Sequence, residues 1–434
     1  MTTEISPRRR RDIIDALRRG VVPMNGLDAL AVGLDRFTTA LDDDLDRVAG
    51  GGSVFKAVRG EYGAGKTFFT RWLAERAKRR GFAASEVQIS ESETPLHRME
   101  TVYRRLVEHL NTEQFSPSAF RPVLDGWIFA LEEDVLGRGE ATEEDAITLD
   151  RAVGDLLERR LADISRTTPG FAAALRGYRT ATSAGDRPTA DGLAGWLAGQ
   201  PHVAATARRA AGVKGDLDHF GALSYLQGLL TVLRDSGHPG LLLVLDEVET
   251  LQRVRTDARD KALNALRQLV DELYAGRFPG LYLIITGTPA FYDGTQGIAR
   301  LPPLAQRLAT DFTSDPRWDN PRAVQLRLAG FSAEALVQLG VRVREIYGSP
   351  RAEARIDDAY LGELARAVTG KLGGKVGVAP RIYLKKLVAD VLDRADQFDD
   401  WDPRQHYELT VRTSELSDVE RNAAAADEVP LDLP

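Results

Sequence analysis

The chain has 434 residues, 43% hydrophobic and 28% charged, with a formal net charge of −7 and no cysteine. That length exceeds one ordinary domain, and the lack of thiols excludes disulfides, thiolate metal sites and cysteine nucleophiles. Six scattered histidines show no ligand spacing, no apolar run reaches the ~18 residues of a membrane span, and the acidic balance argues against a protein that coats nucleic acid, though a local basic patch stays open.

Ser6-Pro7 followed by Ile13, Ile14 and Leu17 predicts a capped helix with proline in its first turn. The run Arg8 to Arg11 precedes no apolar stretch, so it is not read as a signal peptide and the protein is expected in the cytoplasm. Leu34, Phe37, Leu41, Leu45 and Val48 recur at helical spacing, and Gly50-Gly51-Gly52 closes that second helix. A β-rich stretch, Ser53 to Arg59, then feeds Gly60-Glu61-Tyr62-Gly63-Ala64-Gly65-Lys66-Thr67, a complete G-x-x-x-x-G-K-[ST] loop, and a helix from Phe68 to Arg80 follows. A strand, a glycine-rich turn and a helix in that order aim several backbone N–H groups and the positive helix end at one spot, which suits a polyphosphate. Gly60, Gly63 and Gly65 leave room for close backbone approach. Lys66 can reach the β- and γ-phosphates and the Thr67 hydroxyl can ligate Mg²⁺, with Glu61, Tyr62, Ala64 and Phe68 completing the nucleotide-contacting stretch.

Glu86 to Ile89 is a second expected strand. From about Pro95 to Leu217 the sequence is mostly helical, with a Gly-, Ala-, Asp- and Pro-rich exposed loop expected around Thr180 to Pro201. So long a stretch is too much for a connection between strands and is read as an α-helical insertion. The wholly apolar Leu241 to Leu245 has the character of a buried parallel strand. It runs straight into Asp246-Glu247, two carboxylates at the carboxyl edge of a sheet, where open α/β folds place their ligand. Asp246 is expected to hold Mg²⁺ through water and Glu247 to orient and deprotonate an attacking water; Glu249 is read as solvated. A helix is expected around Ala262 to Tyr274, then another apolar strand, Leu281 to Ile285, ending in Thr286-Gly287-Thr288-Pro289. The Thr286 hydroxyl could sense the γ-phosphate or hold the water, or belong to a structural turn. Arg307 lies where ring-forming ATPases carry the arginine that reaches a neighbour's γ-phosphate; Arg300 competes for that role, and a structural arginine is the alternative.

A last strand is expected over Ala323 to Leu328, and helical patterns resume beyond Phe331. Arg381, after Gly377-Val378-Ala379-Pro380 at a helix start, is placed to contact bound nucleotide from a lid. Lys371, Lys375, Arg381, Lys385 and Lys386 make this module locally basic, a candidate for DNA; Arg8 to Arg11 with Arg18-Arg19 are a second, weaker one, since charge runs are usually solvated faces. The segment from Ser414 is read as an acidic tail. The expected organisation is a helical segment over residues 1–52, a parallel-sheet P-loop core over 53–95 and 217–329, an α-helical insertion over 96–216, and a helical or winged-helix-like module over 330–434.

Several stretches together resemble the ATP-binding protein of bacterial BREX phage-defence systems, the component called BrxD. They are Arg59-Gly-Glu-Tyr-Gly-Ala-Gly-Lys-Thr-Phe-Phe, Leu245-Asp-Glu-Val-Glu-Thr-Leu, Ala262-Leu-Asn-Ala-Leu-Arg-Gln-Leu-Val-Asp, Thr286-Gly-Thr-Pro, Leu304-Ala-Gln-Arg-Leu and Ala379-Pro-Arg. The resemblance implies an AAA+-like ATPase with a role alongside other defence proteins acting on DNA; the expected ligands and partners are ATP, Mg²⁺, double-stranded DNA and other BREX proteins such as a helicase, with a homo-oligomer left open and no membrane. It carries Lys66, Thr67, Asp246 and Glu247 over residue by residue, and Thr286, Arg307 and Arg381 through shorter motifs. The rival expectation is an interaction scaffold that holds ATP with little turnover.

Overall fold

Short apolar runs, buried on both faces, build a single sheet. The structure, a computed structural model, describes residues 5–371 and 379–410. Its strands are β1 (Val54–Arg59), β2 (Ala83–Gln88), β3 (Leu241–Asp246), β4 (Leu281–Gly287) and β5 (Gln325–Arg327), in the order β2-β3-β4-β1-β5. The pairs β2–β3 and β3–β4 are parallel, with Ala83 opposite Leu241, Gln88 opposite Asp246, and Leu245 opposite Ile285. Every residue of β1, β3 and β4 is buried; the apolar runs of β3 and β4 suit strands covered on both faces, whereas β1 also buries Lys56, whose ammonium lies 3.5 Å from Asp44. The result is a mixed α/β protein with a parallel sheet.

The helices follow in chain order: α1 (Pro7–Arg19), α2 (Asp35–Ala49), α3 (Lys66–Arg79), α4 (Met99–Glu108), α5 (Phe120–Gly137), α6 (Ala146–Thr167), α7 (Pro169–Ser183), α8 (Arg187–Leu197), α9 (Ala205–Ala210) and α10 (His219–Asp235). After β3 come α11 (Thr256–Tyr274), α12 (Pro289–Asp293), α13 (Pro302–Arg307), α14 (Ala333–Tyr347), α15 (Pro350–Arg355), α16 (Asp358–Lys371) and α17 (Ala379–Lys385). A π-helical turn, Lys386–Leu392, joins α17 to α18 (Asp393–Gln397).

Two compact units share the chain, and the division passes through β1 and α3. The larger comprises Leu41–Ala57 and Arg76–Ala309. It holds β2, β3, β4 and most of β1, together with α4 to α10, which lie between β2 and β3 in sequence. Tyr225 of α10 is the aromatic hub of those helices, with ring centroids 5.1 Å from Phe171, 5.4 Å from Trp196 and 5.7 Å from Tyr103. The expected exposed loop over Thr180 to Pro201 is instead mostly helix. Asp186 caps α8 by accepting from the Thr189 N–H, Pro188 sits in the first turn where no N–H is missed, and Leu193 and Trp196 are buried. In the same unit Arg76 grips Asp42 through two hydrogen bonds of 2.7 and 2.6 Å.

The smaller unit comprises Met1–Ala40, Val58–Glu75 and Thr310–Pro434. Its core joins Ile13, Ile14 and Leu17 of α1 to aliphatic and aromatic residues of α14 to α18. β5 extends β1 through the Leu328 N–H, which donates to the Arg59 carbonyl at 2.8 Å. No strand follows β5 among the described residues, so that part is helical and presents no β-wing there. Far along α3, the buried Glu75 carboxylate accepts from the Gly26 and Leu27 N–H groups, both at 2.8 Å, and the Trp72 indole donates to Asp28 at 2.7 Å. Gly377, Val378, Lys375 and the acidic segment from Ser414 lie outside the described residues. Among those described, no helix is long and apolar enough to cross a membrane.

Candidate functional site

The phosphate loop lies in the smaller unit, between β1 and α3. Gly63 and Gly65 have φ of 77° and 89°, left-handed values that cost a side-chain-bearing residue about 1 kcal/mol or more. Gly60 serves a different purpose: a Cβ there would come 3.1 Å from the Ala64 Cβ and 3.4 Å from Leu328. α3 begins at Lys66, so the loop ends on the first turn of a fourteen-residue helix, the positive end that favours an anion. The Lys66 ammonium is buried and donates to the Gly60 carbonyl at 2.8 Å and the Glu61 carbonyl at 3.3 Å, 5.1 Å from the centroid of the Tyr62 ring. Glu61 and Gly63 are exposed, and Thr67 and Phe68 are half-buried.

Beside this loop, within the same unit, is a cavity of about 270 Å³ that the motifs do not foretell. Val32, Gly33 and Leu34 line it from the segment leading into α2 and Phe37 from α2 itself, Gly65 from the loop and Phe68 from the first turn of α3, and Phe331 and Ser332 from just before α14. It is near the ~300 Å³ lower end for small-molecule sites and is mainly apolar, as a flat heterocycle requires. Leu34 and Phe37 carry a signal that reads equally well as a helix core face. The nearby Arg36 guanidinium spends itself on the Pro316 and Arg327 carbonyls, both at 2.9 Å, and burial lowers its pKa.

The acidic corner lies in the larger unit, at the carboxyl ends of β3 and β4. Asp246 ends β3 and is 5% exposed. Thr286, fully buried on β4, donates its hydroxyl proton to Asp246 Oδ1 and accepts from the Glu247 N–H at 3.1 Å. The same N–H lies 3.1 Å from Asp246 Oδ1. These contacts hold Glu247 at φ 60° and ψ 42°, a left-handed conformation unusual for glutamate. Its carboxylate Oε2 accepts from Gln88 Nε2 at 2.9 Å, and its carbonyl accepts from the Thr250 hydroxyl at 2.9 Å. Gln88 stands opposite Asp246 in the register; a single polar residue at a strand end is unremarkable in sequence. Thr286 therefore has its hydroxyl engaged with the acid pair. Glu249, expected to be solvated, is 4% exposed, because a 3₁₀ turn over Val248–Gln252 folds it back inward.

Both candidate trans-acting arginines of this unit are tied to α11. Arg307 pairs with Asp271 and donates to the Pro303 carbonyl at 2.6 Å; Arg300 pairs with Asp260 at 2.5 Å. Arg381 is exposed in the first turn of α17, while Lys386 is buried and pairs with Asp390 at 3.2 Å. Among the described residues, no cluster of three or more His, Asp or Glu side chains could cage a metal. Thr67 of the smaller unit and Asp246 of the larger each offer an oxygen of the kind magnesium takes.

A family model described as "BREX system ATP-binding protein BrxC/D" matches residues 5–411 of the chain. Neither the curated proteins nor the solved structures yield a match.

Proposed function

The chain belongs to the BREX system ATP-binding protein BrxC/D family, and from that premise we propose that it is a magnesium-dependent ATP hydrolase of phage defence, built on an AAA+-like plan, whose nucleotide state governs its grip on DNA or on other BREX proteins. One pairing supports this best: a glycine-built loop opening α3, and an Asp246-Glu247 pair braced at the end of a parallel strand. A chain that merely stores a nucleotide has no need to hold a glutamate in a left-handed conformation next to a buried aspartate.

In this reading Lys66 leaves its loop carbonyls for the β- and γ-phosphates, and the backbone amides after Gly63 cradle the chain of phosphates. The cavity lined by Leu34, Phe37 and Phe331 takes the base. A magnesium ion held by Thr67 and, through water, by Asp246 would neutralise charge on the phosphates. Glu247 accepts the proton of the attacking water. Arg307 reaches the phosphates of a neighbouring copy after exchanging Asp271 for them, and Arg381 contacts the nucleotide from the helical module.

Two variants test the assignment. Lys66→Ala should lose ATP binding in calorimetry. Glu247→Gln should bind ATP with near-normal affinity and release phosphate at least a hundredfold more slowly; normal turnover by that protein would refute the assigned base. The second reading, a nucleotide-holding scaffold with little turnover, draws on the Gln88 contact that occupies the Glu247 carboxylate. Steady-state phosphate release from the wild type, with and without DNA, separates the two.

A further inference from the structure

The arginines of α1 have no part in this nucleotide chemistry. The helix carries six arginines against two aspartates in thirteen residues, in a chain whose net charge is −7. Its apolar face, Ile13, Ile14 and Leu17, is buried, which leaves Arg8, Arg9 and Arg11 exposed. Arg8, Arg11 and Arg18 follow one another at spacings of three and seven residues, which puts them on one helical face over roughly 15 Å. Neither Arg8 nor Arg11 forms an ion pair among the described residues.

This face borders a cleft of about 760 Å³ within the smaller unit. Arg10, Arg11 and Arg18 line it from α1, and Arg351 lines it from α15. The wall between them is shaped for arginine. α14 ends at Gly348 with φ 68°, and a Cβ on that glycine would lie 3.1 Å from an Arg10 guanidinium nitrogen. Acids partly offset the charge. Arg18 is paired with Asp393 and Asp15, and Arg351 lies 3.2 Å from Asp399 and 3.4 Å from the Asp396 carbonyl. Asp15 and Asp396 also line the cleft, so the surplus falls on Arg10 and Arg11 within it and on the exposed Arg8 and Arg9 beside it on α1.

We propose that this cleft binds the phosphate backbone of nucleic acid. Guanidinium forks match phosphate oxygens two at a time, and a duplex carries one negative charge per ~1.7 Å, so a 15 Å row of arginines faces several. The aliphatic residues of the cleft, Ile14 and Ile346, are only 7% and 5% exposed. An acidic protein would find little apolar area to bury there, and protein interfaces depend on such area at their centre. The inference rests on the DNA-coupled half of the proposed function, and an assay without nucleotide keeps the two separable.

The test is fluorescence anisotropy of the full chain with labelled duplex DNA, single-stranded DNA and RNA over a salt series, without nucleotide. It compares the wild type, Arg8→Ala/Arg11→Ala and Arg351→Ala with Arg209→Ala/Arg255→Ala, which removes two exposed arginines of the larger unit. Loss of two phosphate contacts should make the log–log salt slope for duplex shallower by about 1.8, which weakens binding about 30-fold at 0.15 M salt. Arg351→Ala should give about half that change in slope, and the control pair none. Equal thermal melts and ATP affinities across the set show that fold and nucleotide loop are intact. The three probes identify which nucleic acid is preferred. The proposal is overturned if the cleft variants bind like the control pair, if the wild type binds none of the probes, or if poly-glutamate competes as well as the oligonucleotides.

Discussion

Replacing Thr286 by valine keeps the shape of the side chain and removes its hydroxyl, which now serves two partners. Asp246 Oδ1 loses a donor in a buried setting, and the Glu247 N–H loses one of its two acceptors. An unmet buried polar group costs about 1–3 kcal/mol. Asp246 Oδ1 and the Glu247 N–H keep each other at 3.1 Å, so the two partial losses together come to ~2 kcal/mol. Denaturation should show it as a fall in melting temperature of roughly 4–8 °C. The left-handed Glu247 is also the residue most easily released once its N–H contact weakens, because relaxing it regains about 1 kcal/mol or more of backbone strain. If the displaced glutamate must return for each turnover, the same ~2 kcal/mol slows phosphate release about 30-fold with ATP affinity little changed. Thr286→Ser, which keeps the hydroxyl, should lose stability and hold its rate within about twofold. A Thr286→Val protein that melts within a degree of the wild type and hydrolyses ATP normally would refute the bracing role.

The contact from Gln88 to the Glu247 carboxylate is exposed and worth about 1 kcal/mol. Gln88→Ala should therefore raise basal phosphate release up to about fivefold and cost at most about 1 kcal/mol of stability, and an unchanged or lower rate would mean that the contact does not restrain the base. Arg307→Ala should retain ATP binding, lose hydrolysis and be rescued by mixing with the Lys66→Ala protein; absence of rescue would reduce Arg307 to its ion pair with Asp271. The hydrogen bonds from Arg76 hold the Asp42 carboxyl below its ordinary pKa. The folded value then lies below the unfolded one, so the stability this pair contributes is present above the ordinary carboxylate range and is lost as pH falls through the folded value. Asp42→Asn should cost about 1 kcal/mol at pH 7, with the two melting curves converging in acid; a gap that persists at low pH would point to packing.

The strand–loop–helix over Val54 to Arg79 was legible because glycines at forced backbone positions and an aliphatic run before them leave few alternatives. β3 and β4 were legible for the same reason, since five consecutive aliphatic or aromatic residues ending in polar ones suit a doubly covered strand. Composition misled over Thr180 to Pro201. Glycine and proline there sit at positions a helix tolerates, and the decisive features were the Asp186 cap and the buried Trp196. Glu249 was misjudged because carboxylates are usually solvated, whereas a 3₁₀ turn following one left-handed residue reverses the direction of the chain. The apolar cavity and Gln88 were hidden for another reason: their partners are far apart in sequence, Phe37 from Phe331 and Gln88 from Glu247, and no local pattern records such pairings. The grouping of α1 with the C-terminal helices depends equally on contacts across more than three hundred residues.

α3 deserves a mechanical view. It starts on the residues that face a triphosphate in the proposed chemistry and, two and a half turns later, Trp72 and Glu75 clasp the stretch Gly26 to Asp28 that follows the arginine-bearing helix. No glycine or proline interrupts α3, so a displacement at Gly65 can be carried the roughly 15 Å to Glu75. The chain thus owns a lever whose near end is built for phosphate and whose far end is screwed to the base of a cationic arm.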